Sequence, residues 1–263
     1  MTGSNGIRLA LGTLTIARVA PPGRVDRRAA AQAMCWAPLI GVVLGGLSAA
    51  LLEGVRKATH HSATGTVLAA VIAVAALAWF TRGLHLDGLA DTADALGSSR
   101  PPVGALEVMK RPDIGPFGVV TVVLVLAIQV TAVAESVSRG SGWLALVVAV
   151  TTGRLAACWG CAARTPPART DGLGALFGGS LSIPVLWVLT AVVVTGAAGL
   201  SVLEDDHNGW LTVRTTIAVL VGLATAALLL RRCVRRFGGV SGDVLGAMVE
   251  GATTAALLCF ALG

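Results

Sequence analysis

FGVVTVVLVLAIQVTAVA, from Phe117 to Ala134, runs for eighteen residues without a charged side chain. As an α-helix it is about 27 Å long, close to the hydrocarbon thickness of a bilayer, which takes about 20 apolar residues to cross. A backbone in lipid must satisfy its own hydrogen bonds, so a run of this kind reads as a spanning helix. It is not isolated. Hydrophobic residues make up 55% of the 263-residue chain and charged residues only 13%, against roughly 25% charged in soluble domains. The mean hydropathy is +0.80. That balance excludes a water-soluble globule, a disordered chain and a small disulfide scaffold. Further spans are expected over Met34–Leu52, Gly65–Thr81, Trp143–Ala163, Leu181–Leu203, Leu211–Leu230 and Val244–Leu262. The fold class is therefore all-α: a polytopic membrane bundle of about seven transmembrane helices, forming one integral-membrane domain over residues 1–263.

Loop charge sets the expected orientation, because Lys and Arg are retained on the cytoplasmic side. The N-terminal arm and the second, fourth and sixth loops hold fifteen Lys and Arg residues, the alternate loops four. The N-terminus and loops two, four and six are thus expected in the cytoplasm, in a multi-pass cell-membrane protein. Residues 1–33 carry Arg8 and Arg18 within their apolar stretch and no small-residue cleavage site. They read as an interfacial amphipathic arm, not a signal peptide. Arg231, Arg232, Arg235 and Arg236 directly follow a span, which reads as an anchor to anionic headgroups; nucleic acid is not expected as a partner. Gly41, Gly45 and Gly46 suit close helix contact in lipid. Five cysteines, an odd number, lie in or beside apolar runs and read as reduced, packed thiols. Cys158 and Cys161 have redox spacing, but within a span core packing is the simpler reading. His60-His61 and Glu204-Asp205-Asp206 read as solvated loop.

The chemistry is concentrated in GLHLDGLADTADALG, residues 83–97. Asp87, Asp91 and Asp94 stand at i, i+4 and i+7, on one stripe of a helix. No Lys or Arg lies between Arg82 and Arg100 to offset their repulsion locally. The bland reading is a solvated acidic face. Leu84, Leu86, Leu89 and Leu96 surround the acids, and the stretch follows a span on the basic side. Both features favour a divalent-cation site. Mg²⁺ takes oxygen ligands, usually one or two carboxylates with phosphate oxygens and water. Phosphoryl-group transfer is the chemistry this suits. Asp87, Asp91 and Asp94 are the expected metal ligands and catalytic residues, with the proton acceptor among them left open. Membrane CDP-alcohol phosphotransferases use a related Asp pattern that begins Asp-Gly and continues through Ala-Arg. Here Asp87-Gly88-Leu89-Ala90 is followed by Asp91. A cation transporter using the Asp stripe and Glu250 is the non-enzyme alternative, and no internal repeat supports it.

Four blocks resemble the adenosylcobinamide-GDP ribazoletransferase family, also called cobalamin synthase. They are residues 85–94; 106–110 with 114–118; Gly153-Arg154 with Gly172–Gly174; and residues 237–250, FGGVSGDVLGAMVE. The resemblance covers most of the chain in order. It implies the last stage of adenosylcobalamin assembly, a Mg²⁺-dependent displacement at phosphorus. A hydroxyl of α-ribazole, or of its 5′-phosphate, attacks adenosylcobinamide-GDP and GMP leaves. Oligomeric state stays open, a homo-oligomer being one option.

Further residues are candidates for substrate binding. His85 is two residues from Asp87 and points elsewhere on a helix, as a substrate contact or as a packed residue. Lys110 forms either a surface pair with Glu107 or part of the site. Arg154 lies about nine residues inside a span, where a cation needs a partner or a wet cavity. Gly238 and Gly239, with Ser241 and Asp243, lead into the last span; such a turn can offer N–H groups to phosphate, and Ser241 can equally cap the helix. Glu250 shares a face with Asp243, and Arg154 is its natural partner.

Overall fold

The structure is a computed structural model that describes residues 3–204 and 209–262. Asp205 and Asp206 lie outside the described residues. Eleven helices follow in order: α1 Gly3–Leu14, α2 Arg27–Ala58, α3 Ala63–Phe80, α4 Leu84–Gly97, α5 Pro102–Val108, α6 Pro116–Ser138, α7 Gly142–Gly160, α8 Gly172–Phe177, α9 Ile183–Val202, α10 Trp210–Phe237 and α11 Gly242–Leu262. Seven of them, α2, α3, α6, α7, α9, α10 and α11, are long and apolar enough to cross a membrane, and they coincide with the seven expected spans. Local chemistry sets their ends. Asp26 accepts from the Ala29 N–H at the start of α2 and Ser62 from the Gly65 N–H at the start of α3, each satisfying a donor the helix leaves unpaired. Prolines occupy the first turns of α5, α6 and α9, where a missing N–H costs nothing.

The bundle is built around α7. It buries 89% of its most apolar stretch and α11 buries 72%, against 22–28% for α3, α6, α9 and α10. The four sparsely buried helices therefore face lipid, and α7 and α11 form the core. Contact with α2 is made through glycine. A Cβ on Gly41 would lie 2.8 Å from Thr151 Cα and one on Gly45 2.8 Å from Val147 Cα, so α2 and α7 touch backbone to backbone. Gly46 faces open space and takes no part. Cys158 and Cys161 are buried free thiols beside Met34, in accord with packing rather than redox chemistry.

Three connections converge at one end. The α7–α9 connection pairs with the α10–α11 turn through Ala168 N–H to Val240 O at 2.8 Å and Val240 N–H to Pro166 O at 2.9 Å. It also reaches the α3–α6 connection, where Arg169 Nη2 donates to Leu106 O at 2.8 Å. The arm closes over the same end: the Ile16 N–H donates to Phe80 O at 2.7 Å and Arg82 Nη2 to Gly12 O at 2.8 Å.

Gly45→Val should lower the thermal stability of the detergent-solubilised protein by about 1–3 kcal/mol through overpacking against α7. Gly46→Val should leave it unchanged. Equal effects at the two positions would refute the close α2–α7 contact.

Candidate active site

The site begins with a turn. Arg82 and Gly83 both have positive φ, 56° and 68°, and reverse the chain from α3 into α4. Helix α4 then lies against α11 with almost no side chain between them. A Cβ on Gly88 would sit 2.7 Å from Asp243 O and 2.9 Å from Asp243 Cα; one on Gly246 would sit 3.2 Å from His85 Cα. The glycine after Asp87 is therefore a packing device that sets Asp87 and Asp91 beside Asp243. Asp87 and Asp243 border one cavity of about 80 Å³.

The electrostatics follow from that crowding. Burial pushes the Asp91 carboxyl up to about 7, and the neighbouring carboxylates of Asp243, Asp87 and Asp94 add to the shift. Arg169 opposes it, with Nη2 3.9 Å from Asp243 Oδ2. Arg169 was not singled out in the sequence, because its place between Pro166-Pro167 and Gly172 carries no motif. Only its contact with Leu106 and its approach to Asp243 reveal it.

Asp94 is placed differently from the expectation. Its carboxylate accepts from the Gly115 N–H at 2.7 Å and the Gly118 N–H at 2.9 Å. Both oxygens thus cap the start of α6, favoured also by the helix dipole. Asp94 thus positions α6, a role the expected ligand set Asp87–Asp91–Asp94 did not include. Among the described residues no three His, Cys, Asp or Glu side chains form a ready-made metal cage. Mg²⁺ needs fewer, one or two carboxylates with phosphate and water. Asp87, Asp91 and Asp243 supply oxygen donors only, and their mutual repulsion is what a bound cation would relieve. The residues present fit that mode of binding.

The remaining candidates divide. Ser241 caps α11, its Oγ accepting from the Val244 N–H at 3.2 Å and donating to Asp243 Oδ2 at 3.2 Å. Gly238 ends α10 at φ 81° with its N–H donated to Val234 O, so that N–H is not offered to phosphate. Gly239 packs under the backbone of residues 166–168. Lys110 is exposed and pairs with Asp171 at 3.4 Å, not with Glu107. His85 is buried at 4% exposure; burial and then Arg154 hold its imidazole well below the usual range, so it is neutral.

Arg154 and Glu250 meet across a small cavity of about 20 Å³ that Gln129 and Thr253 also line. The volume suits one water. Gln129, a lone amide in a charge-free run that carries no motif, donates through Nε2 to Glu250 Oε2 at 2.8 Å and to Thr254 Oγ1 at 3.0 Å. Arg154 Nη1 reaches Val150 O at 3.5 Å, and its Nε has no protein partner. The two charges share a chamber without a direct ion pair.

A lipid-embedded bundle with carboxylates of two helices and an arginine gathered where three connections meet defines a polytopic membrane protein with an acidic site at one end of the bundle. The chain belongs to the cobalamin-5-phosphate synthase family, whose model matches residues 6–261. It is 40% identical over 262 residues to the adenosylcobinamide-GDP ribazoletransferase of Frankia casuarinae, covering 97% of this chain and 94% of that one. The protein of the same name from Nocardioides sp. is 39% identical, with 97% of each chain covered. That from Ectopseudomonas mendocina is 37% identical, covering 97% of this chain and 98% of the relative. No solved structure matches the chain.

Asp91 and Asp94 should respond oppositely to amide substitution. The Asp91 carboxyl titrates above its unfolded value of 3.8, so folding favours its protonated form and stability falls as pH rises from about 4 to about 7. At pH 8, Asp91→Asn should raise the melting temperature. Asp94→Asn should lower it, the weakened cap costing about 1 kcal/mol or more of stability. Thermal unfolding of both variants decides; a stabilised Asp94→Asn would refute the capping role.

Proposed function

We propose that this chain is an adenosylcobinamide-GDP ribazoletransferase, joining α-ribazole or its 5′-phosphate to adenosylcobinamide-GDP in the last stage of adenosylcobalamin synthesis. Family membership along residues 6–261 and the relatives' names support the reaction. The observation that ties it to particular residues is the meeting of Asp87 and Asp91 with Asp243 at the Gly88–α11 contact.

Asp87 and Asp91 would hold Mg²⁺, with Asp243 completing the carboxylate set from the neighbouring helix. The ion would supply charge neutralisation at the phosphates and alignment of the attacking and leaving oxygens. Arg169, held by Leu106 and beside Asp243, is placed to meet phosphate charge. The ribose hydroxyl attacks the cobinamide-linked phosphorus, the P–O bond to GMP breaks, and the hydroxyl proton passes to a carboxylate of the cluster. A phosphoanhydride is already activated, so positioning and electrostatics do most of what the protein must do. His85, neutral and buried, shapes the cavity wall beside Asp87. Arg154 of α7 and Glu250 of α11 line a separate small chamber between the helices. Loop charge supports a cytoplasmic position for this end of the bundle.

Purified protein given adenosylcobinamide-GDP, α-ribazole and Mg²⁺ should release GMP in step with corrinoid product. Absence of GMP with both substrates bound would remove the assignment. Asp91→Asn should lower turnover on the order of a thousandfold in a protein that remains folded. Protons and Mg²⁺ compete for Asp91, so the Mg²⁺ concentration for half-maximal rate should rise as pH falls below about 7 and level off above it. A half-maximal concentration flat from pH 6 to pH 8 would contradict Asp91 as a ligand. Ser98→Cys should react with a membrane-impermeant thiol reagent from the cytoplasmic side only, and labelling from outside would invert the topology.

A further inference from the structure

The last turns of α10 carry Arg231, Arg232, Arg235 and Arg236. They border a groove of about 800 Å³ whose other walls are Leu96, Leu228 and Leu229. Among the described residues none of the four arginines is ion-paired with an acid. Arg236 is used internally: its Nη2 donates to Ser98 O at 3.2 Å and to Arg100 O, tying α10 to the end of α4. Arg231, Arg232 and Arg235 are exposed.

This groove is distinct from the carboxylate site. Leu96 lies nine residues after Asp87 and five after Asp91, which at 100° per residue places it about 180° and about 140° around α4 from them. A phosphate held by the acids therefore lies across the helix from these arginines. The groove also continues an apolar strip: Ile217, Leu220, Val221 and Leu228 are exposed along α10, on a helix that crosses the membrane. Guanidinium groups that end such a strip sit at headgroup depth. A soluble anion would satisfy the charges and leave the leucines bare. A phospholipid satisfies both, its phosphate taking charge-assisted bonds and its acyl chain lying along the leucines.

We propose that Arg231, Arg232 and Arg235, with Leu96, Leu228 and Leu229, form a discrete binding groove for one anionic glycerophospholipid. Arg236 holds the groove in shape by clamping α4. Each basic residue near an anionic headgroup contributes roughly a fivefold preference, so three give on the order of a hundredfold.

The test uses full-length protein reconstituted in vesicles of equal parts phosphatidylcholine and phosphatidylglycerol. The lipids retained after gentle detergent extraction are identified by native mass spectrometry. Wild type should retain phosphatidylglycerol in large excess over phosphatidylcholine. The Arg231→Gln/Arg232→Gln/Arg235→Gln variant should lose the preference, and Lys at the same three positions should keep most of it. Arg231→Gln alone, at an exposed position, should weaken it about fivefold and gives a readout even if the triple variant is poorly recovered. Arg8→Gln/Arg18→Gln in the arm should leave it unchanged. Retention in the bulk ratio by wild type, or an undiminished preference in the Gln variants, would overturn the proposal. So would displacement of phosphatidylglycerol by millimolar glycerol phosphate, which would make this a site for soluble anions.

Discussion

Like charges have to be forced together before they can share a cation, and here backbone contact does the forcing. Asp243 and Asp87 add to the cost of ionising Asp91, whose carboxyl burial already pushes up. What holds them in place is the apposition of Gly88 and Gly246, which lets α4 and α11 meet with no side chain between. Lipid-embedded helices gain little from hydrophobic association and much from such close packing. The repulsion is thus carried by backbone packing, with Ser241 and Arg169 facing the Asp243 carboxylate. The fold itself positions the carboxylates, as electrostatic preorganisation requires.

Around this contact the polar groups serve two purposes. Asp94 and Ser241 start helices α6 and α11 and so orient the two elements that flank α4. Arg154, Glu250 and Gln129 lie deeper, where an isolated charge costs several kcal/mol. Their shared water-sized chamber offsets part of that cost, and the Gln129 bond fixes the Glu250 carboxylate. The bundle therefore holds two separate polar features, a buried chamber with Arg154 and Glu250 and an acidic cavity bordered by Asp87 and Asp243.

Much of this was legible from residue order. Long apolar runs have one stable form in lipid, so all seven spans could be located: four lie in charge-free runs of eighteen or more residues, and three carry Arg154, Arg214 or Glu250. Their ends were less legible, α2 starting seven residues before the expected bound and α10 ending seven residues after it. The Asp87–Asp91 pair could be read as well, because i, i+4 spacing fixes a shared face. Asp94 could not. Its spacing fits the stripe equally well, yet its destiny depends on Gly115 and Gly118, twenty-one and twenty-four residues away, and only folding brings those N–H groups to it. Gly238 and Ser241 divided in the same way: the residues suited both a phosphate turn and helix ends, and local hydrogen bonds decided for the ends. Arg169 and Gln129 were invisible because each acts through partners distant in sequence. Arg154 and Glu250 could be paired from their shared depth, but not the cavity that separates them.

We propose that this carboxylate cluster gathers a divalent cation at the phosphates of the donor substrate. It is tested most directly by a cryo-EM or crystallographic map of the protein with Mn²⁺ in place of Mg²⁺ and a non-reacting analogue of adenosylcobinamide-GDP. The account predicts metal density within about 2.3 Å of oxygens of both Asp87 and Asp91, with a phosphate oxygen as a further ligand. Metal and phosphate bound elsewhere, with those two side chains turned away from both, would contradict it.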